Sequence, residues 1–153
     1  MPNWIPITLA NLYDAKIAAL VDACDTAALA DNQTARSPGI IQGVVDDIRR
    51  KIASCPRNRL DVDVTAIPTG LKNLAVDLII AKLKISIEQD LSDDERAQLV
   101  THERNLNRIA SGDDVIEQPD NPLPSSEEMQ VSQGVTFKAG RRHASAKKTE
   151  GLI

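Results

Sequence analysis

Leu71-Lys72-Asn73-Leu74-Ala75-Val76-Asp77-Leu78-Ile79-Ile80-Ala81-Lys82-Leu83 is the stretch on which the fold turns. It lacks Gly and Pro, and with Ile85 and Ile87 it predicts one long helix from about Thr69 to Gln89. Its apolar residues fall on several faces rather than on a single stripe. A helix of that kind is covered either by other helices of the same chain or by a neighbouring subunit. Leu78, Ile79, Leu83 and Ile87 are therefore the candidates for packing between subunits.

Three more helices surround it in the reading. C-terminal to it, Ser92 and Glu95 have capping-box spacing, with Asp93 and Asp94 placed against the helix dipole. A thin stripe of Ala97, Leu99, Leu106, Ile109 and Ala110 predicts a surface helix that stops at Gly112. N-terminal to it, Ser37-Pro38 reads as a helix start, a capping hydroxyl with Pro at the first position. Ile40, Ile41, Val44, Val45, Ile48 and Ile52 share one face, and the helix ends near Cys55 because Pro56 disfavours helical geometry there. The first helix is predicted to begin near Thr8, with Leu12, Ile17, Leu20, Val21 and Cys24 on its apolar face. Ala30 to Pro38 reads as a loop; its Asn32-Gln33-Thr34 acceptor pattern has meaning only in a secreted chain. Between Pro56 and Pro68, Leu60, Val62 and Val64 alternate with Asp61, Asp63 and Thr65, which suggests an extended arm or a short strand.

The composition narrows the function. Of 153 residues, 42% are hydrophobic, enough for one modest core, but Trp4, Tyr13 and Phe137 are the only aromatics. Stacking platforms for single-stranded nucleic acid are therefore scarce. The net charge of −4 argues against a free duplex binder, which needs a basic face. No apolar run approaches a membrane span, and the N-terminus lacks the pattern of a secretory signal. Cys24 and Cys55 form no Cys-x-x-Cys pair and read as reduced core thiols, with a disulfide or a reactive thiol as the alternatives.

Beyond Gly112 the composition changes. Residues 113–128 hold six acidic side chains, no basic ones, and Pro119, Pro122 and Pro124. Residues 138–148 hold Lys138, Arg141, Arg142, Lys147 and Lys148 and no acidic side chain. This predicts an arm that is disordered alone. Its acidic linker would span 113–128 and its docking segment 129–153. Val131, Val135, Phe137, Lys138, Arg141 and Arg142 are the candidate partner-binding residues. Phe137 would be an anchor, the basic block would meet an acidic surface or phosphates, and Val131 to Phe137 could add a strand to a partner's sheet. A solubilising tail is the alternative reading.

Catalytic signatures are weak. Asp61-Val62-Asp63-Val64-Thr65 has the shape of the Asp-x-Asp-x-Thr motif of dehalogenase-like phosphotransferases, but a polar connector precedes it where a buried strand is needed. His102-Glu103 begins a His-Glu-x-x-His pattern, yet Leu106 stands where the second histidine belongs. His143 lies among basic residues. The reading is of no enzyme, no cofactor and no metal.

The short stretches Leu12-Tyr13-Asp14, Arg57-Asn58-Arg59-Leu60-Asp61-Val62-Asp63, Ile67-Pro68 before the long helix, Glu103-Arg104-Asn105-Leu106 and Ile109-Ala110-Ser111-Gly112 follow in a recognisable order. Over about residues 7–112 the chain resembles the head–tail connector, or adaptor, proteins of tailed phages, especially those of Mu-like phages. The resemblance implies a homo-oligomeric ring, typically of twelve copies, beneath the portal protein in the virion neck and assembled in the host cytoplasm. Genomic DNA would pass through its lumen without sequence-specific binding. A tail terminator, stopper or other neck protein would sit on its far side. The C-terminal segment, Val131 to Arg142, would dock onto the portal. The alternative is a helical regulatory or DNA-associated adaptor with a basic tail. The expected architecture is mainly α: a bundle of about four helices over residues 1–112, and an extended arm over 113–153 that can add a short β-strand to a partner.

Overall fold

The computed structural model describes residues 2–9, 15–27 and 35–121. Among these the chain is mainly helical, with four α-helices and one small sheet. The elements run β1 (Trp4–Pro6), α1 (Ala15–Ala27), α2 (Ser37–Ala53), β2 (Ala66–Pro68), a single 3₁₀ turn (Thr69–Leu71), α3 (Lys72–Ser86) and α4 (Asp93–Ser111). Helices α2 and α3 share the centre. Each packs against the other and against α1 and α4, and α2 also packs against β2.

The core is aliphatic. Val44, Val45, Ile48 and Ile52 of α2 meet Ile79 and Leu83 of α3 and Ile67 of β2, all fully enclosed. Leu106 and Ile109 of α4 close one side, and Ile17, Val21 and Cys24 of α1 another. Ile79 and Leu83, expected to meet a neighbouring subunit, are therefore corrected to residues of the chain's own core. Three helices and a strand suffice to cover the face that carries them. Leu78 and Ile87 remain half-buried.

Helix boundaries follow local chemistry. Ser92 Oγ accepts from Glu95 N at 3.2 Å, and Glu95 Oε2 accepts from Ser92 N at 2.9 Å, so the expected capping box starts α4. Gly112 ends it at φ 83°, a left-handed position that costs a side-chain-bearing residue about 1–2 kcal/mol. Helix α3 stops three residues short of the expected Gln89. Gln89 N donates to Lys84 O at 2.9 Å and Glu88 N to Ile85 O at 3.1 Å, a Schellman closure. Its left-handed position holds Glu88, at φ 57°, rather than glycine.

The start of α2 differs from the expectation. Ser37 does not cap its own helix. Its Oγ donates to Asp25 Oδ2 at 2.8 Å and its N to Asp25 Oδ1 at 2.9 Å. The carboxylate from α1 thus supplies the acceptor that the α2 N-terminus needs, and buries Ser37 in doing so.

The alternation over Leu60–Thr65 does not form a strand. The side chain of Asp61 accepts from Asp63 N at 2.8 Å, and that of Asp63 accepts from Thr65 N at 2.9 Å. Side chains that capture backbone donors two residues on make turns. The strand comes directly afterwards: Ala66–Pro68 pairs antiparallel with Trp4–Pro6, with Ile5 opposite Ile67. Neither strand was expected at these positions.

The compact unit extends to Asn121, not to Gly112. Trp4 Nε1 donates to Glu117 O at 2.9 Å, Asn3 Nδ2 to Asp120 Oδ1 at 3.0 Å, and Arg59 N to Gln118 Oε1 at 3.1 Å. Ile116 is buried in the core cluster. Residues 113–121, read from sequence as the start of a coreless arm, are a strap across the domain, because the indole N–H of the buried Trp4 finds its acceptor there.

Candidate interaction surfaces

Helix α2 positions two surfaces. At about 100° per residue, the core residues Ile41, Val45, Ile48 and Ile52 define one direction around it. Gln42 and Arg49 lie on one flank of that direction. Asp47 and Lys51 lie on the other, about 180° from the first pair.

The Arg49 flank carries the loop from Leu60 to Thr65. Arg49 is buried and its guanidinium donates to three carbonyls: Nη1 to Asp63 O at 2.8 Å and Ala66 O at 2.7 Å, and Nη2 to Asp61 O at 2.7 Å. It also lies over the Trp4 ring, 5.6 Å from the centroid. A planar fork with fixed donors suits this task. The loop is braced at its base and by its own Asp turns, and its apolar side chains face outward: Leu60 is 38%, Val62 84% and Val64 63% exposed. The Thr65 hydroxyl and N–H donate to Asp63 and hold its carboxyl below the usual carboxylate range. The Asp-x-Asp-x-Thr pattern is thus a solvated turn. Its carboxylates serve backbone geometry, and no buried strand delivers the first Asp.

The other flank carries a groove of about 410 Å³ between α2, α3 and α4. Its apolar surface comes from Val44, Leu78, Ala81, Ile85, Leu99 and Leu106. Its rim is charged. Asp47 pairs with Lys82 at 2.9 Å and with Arg50 at 3.3 Å, and Lys51 Nζ donates to Asn107 Oδ1 at 2.6 Å. Ile85 is 59% exposed beside these charges. Of the four residues expected at a subunit interface, Leu78 lies in this groove. Ile85 and Leu99, not singled out from the sequence, lie there with it. The signal for Ile85 was present, since Leu78 and Ile85 are seven residues apart and share a helix face.

The remaining polar groups act as ties. His102 Nε2 lies 2.9 Å from Asp77 Oδ2 and links α4 to α3. Leu106, where a second metal-binding histidine would stand, is in the core. Lys84 pairs with Glu95, and this contact, with the Ser92 N–H and hydroxyl, holds the Glu95 carboxyl below its ordinary range. Cys24 lies 3.1 Å from Ser86 Oγ in the core. Cys55 is enclosed near Gly112, where the Arg57 backbone N–H lowers its thiol from the ordinary value. The two thiols form no disulfide.

Among the described residues there is no cluster of three His, Cys, Asp or Glu side chains that could hold a metal ion. Among them, too, no helix is long and apolar enough to cross a membrane. Val131, Val135, Phe137, Lys138, Arg141, Arg142 and His143 lie outside the described residues. No protein-family profile, curated protein or solved structure matches the chain.

Proposed function

We propose that this protein is a structural part of a phage neck: a head-to-tail adaptor that forms a ring under the portal and lines part of the DNA channel. The observation that carries the reading is the groove around Leu78 and Ile85. The helical domain already encloses a complete core of its own, and still leaves apolar surface open between three helices. Contiguous open apolar surface rimmed by charge is the mark of a protein–protein contact. The net charge of −4 suits a channel wall that lets DNA slide past. In this reading residues 131–142 attach the ring to the portal, with Phe137 as anchor, and the chain has no catalytic role. The sequence resemblance supports the same assignment.

The test is the native mass of the full chain, alone and mixed with the portal protein of the same phage. Co-purification with portal, lost when residues 129–153 are deleted, is the expected result. A chain that ignores portal and binds duplex DNA at moderate salt is the regulatory adaptor instead. The truncated domain should keep its melting transition, because the strap up to Asn121 stays intact.

A further inference from the structure

The two flanks of α2 carry surfaces of matching chemistry that one copy of the chain cannot bring together. The loop presents Leu60, Val62 and Val64 beside the carboxylates of Asp61 and Asp63. The groove presents Leu78, Ile85 and Leu99 inside a rim with three cations, Arg50, Lys51 and Lys82, and two carboxylates, Asp47 and Glu103. An acidic apolar projection thus faces one way, and an apolar cleft with more cations than anions on its rim opens the other way.

We infer that the Leu60–Val64 loop of one copy docks into the α2–α3–α4 groove of the next, with Val62 at the centre of the contact. The inference deepens the ring proposed above by naming the partner as a second copy and naming both halves of the contact.

Three observations carry it. The loop is rigid before it binds, because Arg49 and the two Asp turns fix its backbone. Ordering it on contact therefore costs little, which is where most loops lose affinity. The charges are complementary, so Asp61 and Asp63 approach Arg50, Lys51 and Lys82 while the valines displace water from Leu78 and Ile85. The placement on opposite flanks makes the contact heterologous. A patch on one face meets a different patch on the next copy, and the pair retains one free loop and one free groove, on different copies. Contacts of that type propagate into rings or filaments and do not close as two-fold dimers.

The experiment uses two variants of the full chain. Val62→Asp with Val64→Asp disables the loop, and Ile85→Asp disables the groove. All three positions are exposed, so the melting curves should match the wild type. Native mass is measured for each protein alone, for the two variants mixed, and for wild type and each variant with portal. Wild type is expected to give species heavier than a monomer, alone or on the portal. Each variant alone is expected to lose them. The mixture is expected to recover dimers and to stop there, because the intact loop of the groove variant fits the intact groove of the loop variant and no further copy can add.

Unchanged assembly of either variant overturns the inference. So does a mixture that stays monomeric after both variants have lost assembly, or one that regains full-size assemblies. A wild type that is monomeric in both preparations also overturns it; if that monomer still co-purifies with portal, the connector reading survives. Loss of portal binding by wild type, with loop–groove dimers intact in the mixture, sinks the connector reading and leaves the self-contact standing.

Discussion

On the flank of α2 that carries Gln42 and Arg49, backbone carbonyls are tied down by a buried guanidinium and the apolar side chains are pushed outward. On the flank that carries Asp47 and Lys51, the polar groups sit on the rim and the apolar side chains form the floor of an open groove. The first flank spends a buried cation on making a short segment rigid. The second leaves aliphatic surface of α2, α3 and α4 exposed. Stability alone favours neither arrangement, since burying Arg costs desolvation and open apolar surface gains nothing. Two such departures on opposite sides of one helix point to contacts made outside the subunit.

The largest expected effect breaks the rigid flank. Arg49→Met keeps an unbranched apolar stem and removes the guanidinium with all its donors, leaving the carbonyls of Asp61, Asp63 and Ala66 without that partner. The expected loss is about 3–4 kcal/mol in chemical denaturation. The loop amides should also lose more protection than those of α4, which share only the global loss. A loss below about 1 kcal/mol would mean that the loop is held by its Asp turns alone.

The second effect compares neighbours in sequence that differ in surroundings. Ile79 is enclosed on all sides, and Leu78 borders the groove. Ile79→Ala is expected to cost about 2–4 kcal/mol, and Leu78→Ala about 1 kcal/mol. Equal costs would mean that the groove is part of the folded core and not an open surface.

This pair also shows what the sequence made legible. The apolar run of α3 predicts a central helix, and it is one. Its periodicity does not tell which faces the chain covers by itself, so it does not separate Ile79 and Leu83, which are core, from Leu78 and Ile87, which stay half-buried. Signals that lie within a few residues were readable: the capping box of Ser92 and Glu95, Pro38 near the start of α2, and the stop at Gly112. Features that depend on distant partners were not. Strand β1 is three residues long and pairs with residues 60 to 64 positions away. The strap 113–121 looks like a linker because its composition is acidic and Pro-containing, and its anchors are backbone carbonyls and the polar side chains of Gln118 and Asp120, none of which has an apolar pattern. Trp4 held the one available hint, since a buried indole N–H requires an acceptor. Nothing in the sequence marks Arg49 as buried, and only the loop fold reveals why it is.

A smaller effect sharpens the rigid flank through pH. Asp63 is held in its charged form by Thr65, so its folded-state pKa is depressed. The sign follows from linkage: its contribution is fully present above the unfolded value near ~3.9 and fades as pH falls through the folded value. The side chain is exposed, so the change is modest. Melting temperature should fall on acidification below about pH 4, and less steeply in Asp63→Asn than in wild type. Parallel curves would remove Asp63 from the bracing of the loop.

The smallest expected effect lies on the open flank. Ile85→Ser replaces a side chain that is 59% exposed at the groove. The folded monomer buries little of it, and a polar substitution on exposed surface shifts stability by no more than about 0.5 kcal/mol. The same change removes apolar surface from the groove, where a truncated contact in a desolvated patch weakens binding far more than folding. The expected pattern is an unchanged melting curve with weakened self-association in sedimentation. A melting temperature that drops as far as it does for Ile79→Ala would show that the groove side of α3 is core, and the contrast between the two flanks would disappear.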